Sequence, residues 1–241
     1  MSLEHWERHA GWWQDEFTAG ADPEYEEQIL PLVTEFLDRA ERVLEIGAGE
    51  GQVSRALAAA GARCVVGAEP VADHVRLARD RAGGPVYLQA TAQALPFADE
   101  SFDAVVVCLV LEHIDDHVPV IEEVARVLAP GGRFALMLNH PLLQTPGSGW
   151  IDDHILEEQY WRIGEYLVRT TTMEEVSPGV HLPFVHRPLG DYVNTLVRCG
   201  LVVERMEEPP PPDGFIERAP EYQAQASIPR LLGLLTRKQG A

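Results

Sequence analysis

Three glycines at alternate positions, Gly47, Gly49 and Gly51, close the apolar run VLEIGAGEG at residues 43–51, and two acids, Glu45 and Glu50, lie within it. A buried strand that breaks into glycines is where a parallel-sheet protein brings its backbone against a ligand. The spacing is GxGxG followed by Gln52, not the GxGxxG of a dinucleotide fingerprint. A pyrophosphate carries two negative charges and uses the amides of a helix N-terminus. Glu45 and Glu50 oppose such a group. A ligand with an ammonium and a sulfonium is attracted instead, and S-adenosylmethionine has both. Its amine would meet Glu45 directly or through a water, and its carboxylate would use loop amides.

Two further segments offer contacts to a nucleoside. Glu69 ends the next apolar run and can accept both hydroxyls of a ribose. That suits any adenosine-bearing ligand and does not choose among them. TAQALPFADESFD at 91–103 has short side chains and a Leu-Pro-Phe turn able to form a flat apolar slot for adenine.

For proton transfer the candidates are His113, in LEHI, and His186, which precedes a helix. His113 follows an apolar run and is expected to face the same cleft. It reads as a general base or an orienter of a second ligand, and equally as a residue that orders its loop or caps the next helix. Arg187, beside His186, reads as the partner of a structural acid. Asp152, Asp153 and His154 tempt a metal assignment, but adjacent ligands on one short segment point different ways. A solvated turn is favoured there, and no metal is expected.

Residues so far apart need a scaffold. Strands are predicted at 42–47, 63–69, 85–90, 102–110 and 133–139, with helices at 51–61, 71–82 and 117–132 between them. This alternation predicts a parallel sheet with helices on both faces. Two helices, 4–19 and 23–38, precede it, with Asp22 as cap and Pro23 at the first helical position. Residues 165–176 and 179–187 flank Ser177-Pro178-Gly179, which suggests a hairpin. A helix at 187–200, a strand at 201–208, a stiff connector at 209–212 and a strand at 229–238 finish the chain. With no helix between them, the last two strands are expected to pair antiparallel at the sheet edge.

The organisation is therefore N-terminal helices at 1–39, a cofactor-binding α/β core at 40–139, an inserted substrate cap or lid at 140–187, and the rest of the core at 188–241. Trp150, Tyr160 and Trp161 in the insert read either as its core or as walls of a pocket for an apolar or aromatic molecule. Trp13, Asn139 and His140 are placed with them as pocket candidates. Trp12, Trp13 and Tyr25 either close over the ligand or pack on the sheet.

The chain has 19 basic and 38 acidic residues, a net charge of −19, and no Lys/Arg cluster. That balance argues against nucleic acid and anionic membrane as partners and favours a small neutral or cationic molecule. Cys64, Cys108 and Cys199 form no CxxC pair, so neither a disulfide framework nor a zinc ribbon is expected. The start, MSLEHWERHA, lacks the apolar core of a signal peptide, and there is no long apolar run. A cytoplasmic protein with reduced thiols is expected, as monomer or homodimer.

Taken in order, E-I-G-A-G-E-G, G-A-E-P, A-L-P-F-A-D-E-S-F-D, L-E-H-I and V-L-A-P-G-G-R resemble the motifs of class I S-adenosylmethionine-dependent methyltransferases. The quinone- and small-metabolite-methylating branch is the most similar, and the match covers residues 40–140. The resemblance implies a Rossmann-like, doubly wound α/β fold. Its seven-stranded sheet would have the order 3-2-1-4-5-7-6, with strand 7 antiparallel and an inserted cap after strand 5. It implies S-adenosylmethionine as cofactor, leaving as S-adenosylhomocysteine.

By position, the resemblance makes Glu45 the loop acid. Gly47 and Gly49 become the glycines that pass the methionine part, with Ala48 in place of a common Cys. Glu69, followed by Pro70, becomes the ribose acid. Ala92 and Gln93 fall at the adenine edge, after Thr91 in place of the usual Asp. Cys108 and Leu109 line the sulfonium side, Cys108 as a small buried residue rather than a nucleophile. The implied activity is methyl transfer to a small apolar or aromatic acceptor. Two rivals stay open: a cofactor-binding sensor or partner subunit without transferase activity, and a nicotinamide-dependent oxidoreductase.

Overall fold

A computed structural model describes residues 2–18, 22–218 and 226–240. The strands are β1 (Arg42–Ile46), β2 (Cys64–Glu69), β3 (Val86–Gln89), β4 (Phe102–Cys108) and β5 (Leu128–Asn139). Then come β6 (Gly149–Asp153), β7 (Glu158–Arg162), β8 (Thr170–Ser177), β9 (Val180–His186), β10 (Leu201–Glu207) and β11 (Leu231–Lys238). The helices are α1 (Ser2–Phe17), α2 (Leu30–Phe36), α3 (Gln52–Ala59), α4 (Ala72–Arg81), α5 (Val118–Val127), α6 (Leu189–Arg198) and α7 (Asp213–Arg218).

Seven strands form one sheet in the order β10-β11-β5-β4-β1-β2-β3. β11 runs antiparallel to both neighbours and the other pairs are parallel. This is the sheet order that the family resemblance implies. The central strands are near-continuous apolar runs because helices cover both faces. Side chains alternate along each strand. Leu44, Ile46, Val105 and Val107 join one core with Val120, Ile121 and Val124 of α5. Val43, Ala104 and Val106 join the other with Phe36 of α2 and Val53 and Leu57 of α3.

Four elements depart from these expectations. The helix predicted to run to residue 132 ends at Val127. Pro130 cannot donate to a helical bond and forces its predecessor out of the helical region. The strand therefore starts early, and its pairing jumps from Phe102–Leu128 to Ala104–Arg133. The second helix opens as a π-helical turn at Tyr25–Ile29. The connector before β11 contains α7, whose first turn bonds to the Pro212 carbonyl. The insert holds the expected β8–β9 hairpin with its turn at Pro178-Gly179, and also an unanticipated hairpin, β6–β7.

Candidate active site

The loops at the carboxyl ends of β1 to β4 surround a cavity of about 290 Å³. The chain proceeds from β1 to β2 on one side and returns to β4 on the other, so this is the topological switch point where open α/β sheets bind ligands. All the residues expected around the cofactor line it: Glu45, Gly47, Ala48 and Gly49, then Glu69 and Pro70, then Thr91, Ala92 and Gln93, then Cys108 and Leu109.

Gly47 and Gly49 have φ of 73° and 53°, a left-handed conformation that favours glycine. A Cβ on Gly47 would lie 2.3 Å from Val110 Cγ2, and one on Gly49 2.6 Å from the Trp13 ring. The Gly47 and Ala48 N–H groups both donate to the Ala68 carbonyl, at 2.8 and 3.2 Å. Gly49 N–H donates to Glu69 Oε2 at 2.9 Å. Ser54, in the first turn of α3, donates its N–H to Glu45 Oε2 at 2.8 Å and its hydroxyl to the same oxygen.

These bonds correct two expectations. The amides of residues 47 to 49 are occupied by the protein, so a ligand carboxylate does not find them free. The positive end of α3 holds the protein's own Glu45, where a pyrophosphate would need an open amide nest. Glu50 plays no part in that exclusion. It is fully buried away from the cavity and pairs with Arg55 and Arg81, each at 2.7 Å.

Glu69 Oε1 accepts from Val71 N–H at 2.9 Å. Oε1 also faces His74 Nδ1 at 3.5 Å, while Oε2 takes the single Gly49 bond and keeps a lone pair for a ligand. His74 Nε2 and Trp12 Nε1 are also buried in the cavity wall with no partner among the described residues. Buried polar atoms are rarely left so unless something else meets them. A fixed carboxylate, unpaired polar atoms in the same wall, a glycine cradle and a second buried acid fit an aminoacyl nucleoside such as S-adenosylmethionine. Burial pushes Glu45 up to about 8, against the pull of its Ser54 bonds. Tyr25 and Cys108 hydrogen-bond to each other, and burial drives both well above their ordinary values. Cys108 is a neutral thiol here, not an activated nucleophile.

The other end of the cavity is apolar. His113 lines it from the short 3₁₀ turn Leu111–His113 after β4. Its Nδ1 lies 2.9 Å from the Pro183 carbonyl of β9. A carbonyl only accepts, so Nδ1 carries the proton and Nε2 of the neutral ring is an acceptor. Trp6 and Phe184 pack edge-on against the imidazole, with centroids 4.9 and 4.6 Å away. Leu3, Ile114, Val176 and Leu182 complete this wall. Trp6, Trp12, Trp13 and Phe17 of α1 form the roof. The helix is anchored at its carboxyl end, where Gln52 Nε2 donates to the Phe17 carbonyl at 3.1 Å and Arg81 Nη1 to Thr18 Oγ1 at 3.0 Å.

Other sequence candidates lie elsewhere. His186 is buried outside the cavity, with Nε2 bonded to the Tyr166 carbonyl at 2.8 Å. It shares a strand face with Leu182 and Phe184, but sits about 6.6 Å further along than Phe184 and overshoots the cavity. His140 bonds Glu208 at 2.8 Å and accepts Leu142 N–H at 3.1 Å, closing the turn after β5. Trp150 and Trp161 face each other across β6–β7, 5.7 Å apart, and Tyr160 is exposed on the same hairpin. None of these walls the cavity; β8–β9 does so instead.

Asn139 does line the cavity, held by Glu112 Oε1, which accepts its N–H and its side-chain amide at 3.2 and 3.0 Å. Leu95 and Phe97 turn into the core rather than forming an adenine slot. Asp153 Oδ1 accepts the N–H groups of Ile155 and Leu156, ordering the β6–β7 turn. No group of three or more potential ligands gathers around a metal position among the described residues. Trp6 was missed in the sequence, although Leu3, Trp6, Trp13 and Phe17 recur at helical spacing. Phe184 and Pro183 carry no such signal.

No described helix is long and apolar enough to cross a membrane. Over residues 44–136 the chain matches a family described as a methyltransferase domain. It is 42% identical over 96 residues to a demethylmenaquinone methyltransferase of Mycobacterium sp. (strain KMS), covering 40% of each chain. It is 35% identical over 175 residues to a 27-O-demethylrifamycin SV methyltransferase of Amycolatopsis mediterranei (strain S699), covering 69% of this chain and 62% of the other. The chain thus spans less than two thirds of the length of these curated relatives. Among solved structures it is similar to an S-adenosylmethionine dependent methyltransferase from Mesorhizobium loti. There the TM-score is 0.75 and the identity 28%, covering 86% of this chain and 96% of that one.

Proposed function

Because the chain belongs to the class I S-adenosylmethionine-dependent methyltransferases, we propose that it moves a methyl group from that cofactor to a hydroxyl of a small, largely apolar acceptor. The observation that carries this reading is one cavity with two unlike ends. The polar end has Glu45, Glu69 and the glycine loop; the apolar end has a proton-accepting His113 nitrogen set among aromatic rings. When bound, S-adenosylmethionine supplies a methyl group made electrophilic by its sulfonium. Glu69 would hold the ribose, Glu45 the ammonium, and Cys108 and Leu109 the sulfonium side. Leu109 is held at φ 54°, a strained conformation for a bulky residue and one that clusters at functional sites.

His113 Nε2 would take the acceptor's hydroxyl proton, while the walls exclude water and align the acceptor oxygen. Alignment of this kind contributes on the order of 7–11 kcal/mol. A hydroxyl is also supported by the relative whose name, 27-O-demethylrifamycin SV methyltransferase, puts the methyl on oxygen. The test is incubation with isotopically labelled S-adenosylmethionine and a panel of apolar phenols and alcohols, read by mass spectrometry. Labelled ether products are expected. Tight cofactor binding with no product from any acceptor would favour the sensor reading. In a thermal-shift assay S-adenosylhomocysteine is expected to raise Tm and a nicotinamide dinucleotide to leave it unchanged.

Proton linkage gives a further expectation. With its value near 8, Glu45 keeps its proton at neutral pH in the free protein. An ammonium beside it favours the carboxylate, so binding expels the proton. Affinity for S-adenosylhomocysteine is expected to rise roughly tenfold per pH unit from about pH 6 to 8 and then level off. Calorimetry in buffers of different ionisation enthalpy measures the released proton, and Glu45→Gln should abolish the slope. Folding stability moves the opposite way. The folded chain holds a proton that the unfolded chain loses above the ordinary value of 4.5. This contribution is full below that pH and is lost as pH rises through about 8.

A further inference from the structure

We propose that Arg187 is a positioning residue: with the Pro183 carbonyl, it forms a brace from β9 and the residue just after it that fixes the tautomer and direction of His113. This rests on the reading of His113 as the base. Arg187 is only 3% exposed. Its guanidinium is satisfied by backbone carbonyls rather than by the acid expected from the sequence. Nη1 donates to Leu111 O at 2.9 Å; Nη2 donates to Asp115 O at 2.9 Å and to Ile114 O. All three carbonyls belong to the five residues centred on His113. The Tyr192 hydroxyl, 3.4 Å from Nη1, completes the shell.

A cation is costly to bury, and an apolar side chain would pack the same space more cheaply. The planar fork does something an apolar residue cannot: it holds several carbonyls of one short segment in a fixed mutual arrangement. Four residues earlier in the chain, the Pro183 carbonyl takes the Nδ1 proton of His113, and Phe184 packs on its ring. β9 therefore grips the imidazole, and Arg187, the residue that follows it, grips the backbone of the His113 turn. A ring nitrogen's role is set by the bond its partner nitrogen makes. The orientation of the base thus comes from the inserted segment, not from the cofactor-binding strands.

Arg187→Met and Arg187→Lys, each alone and combined with His113→Ala, test the brace. Arg187→Met is expected to lower kcat about 10–100-fold, as losses of orienting partners do, with S-adenosylhomocysteine affinity nearly unchanged. Arg187→Lys should recover part of the loss, since an ammonium still reaches some of the carbonyls. In the His113→Ala background, Arg187→Met should add less than about twofold. Long-range ¹H–¹⁵N spectra should show His113 as the Nδ1–H tautomer in the parent and as a tautomer mixture in Arg187→Met.

Equal losses in both backgrounds with unchanged ring signals would overturn the proposal and leave Arg187 a packing residue. If His113→Ala keeps full turnover, the base reading fails instead. The ring signals then decide alone: a tautomer shift sustains the brace and an unchanged ring sinks it. Should Arg187→Met fail to fold, Arg187→Lys carries the same readouts.

Discussion

His113→Ala is expected to lower kcat by about 10²–10⁴-fold, roughly 3–5 kcal/mol of barrier, while the affinity for S-adenosylhomocysteine stays within about twofold. The asymmetry follows from where the residue stands. Its Nδ1 is committed to the Pro183 carbonyl, and its ring lies between Trp6 and Phe184, at the apolar end of the cavity. Glu45 and Glu69, which would hold the cofactor, are fixed by their own bonds to Ser54, Gly49 and Val71. Removing the imidazole would therefore delete the proposed proton acceptor without loosening the end proposed for the nucleoside. Single-turnover assays at saturating cofactor, paired with calorimetry, separate the two quantities. Equal losses in rate and affinity would make His113 a structural residue. An acceptor with an acidic phenol should fall at the low end of the range, because less of its barrier is deprotonation.

Gly47→Arg is expected to weaken S-adenosylhomocysteine binding at least about 100-fold, on the order of 2.7 kcal/mol. Two effects combine. The backbone at Gly47 has φ 73°, and a Cβ there would fall 2.3 Å from Val110. Val110 also lines the cavity, so relief of the clash drives both side chains into the ligand's space. The strand itself is expected to persist, since β1 pairs with β2 and β4 through residues before the loop. Left-handed strain of about 1–2 kcal/mol should lower Tm by roughly 2–8 °C. A circular dichroism melt checks the fold and calorimetry checks binding. Retained affinity in a folded variant would mean that the cofactor lies elsewhere.

The cavity lining proposed for the nucleoside was legible because its determinants are local. Each station is a strand followed at once by its loop, so GAGEG, Glu69 and Thr91-Ala92-Gln93 could be placed from sequence order alone. The end proposed for the acceptor was not, because it is assembled over long separations. His113 meets Pro183 seventy residues away, and no pattern in either segment announces the pairing. His186 was favoured for its chemistry, but strand rise carries it past the cavity. Glu50 was misjudged because its neutralising partners, Arg55 and Arg81, come from two different helices. Composition counts a charge; only packing shows whether that charge reaches the ligand.

The roof has one more consequence. Trp6 overlies the end of the cavity with the imidazole, while Trp13 presses on Gly49 at the other, and both belong to α1. The rod is tied down at Phe17 and Thr18, close to Trp13 and far from Trp6. A tilt about that point displaces Trp6 further than Trp13, so the imidazole end would be uncovered before the glycine loop.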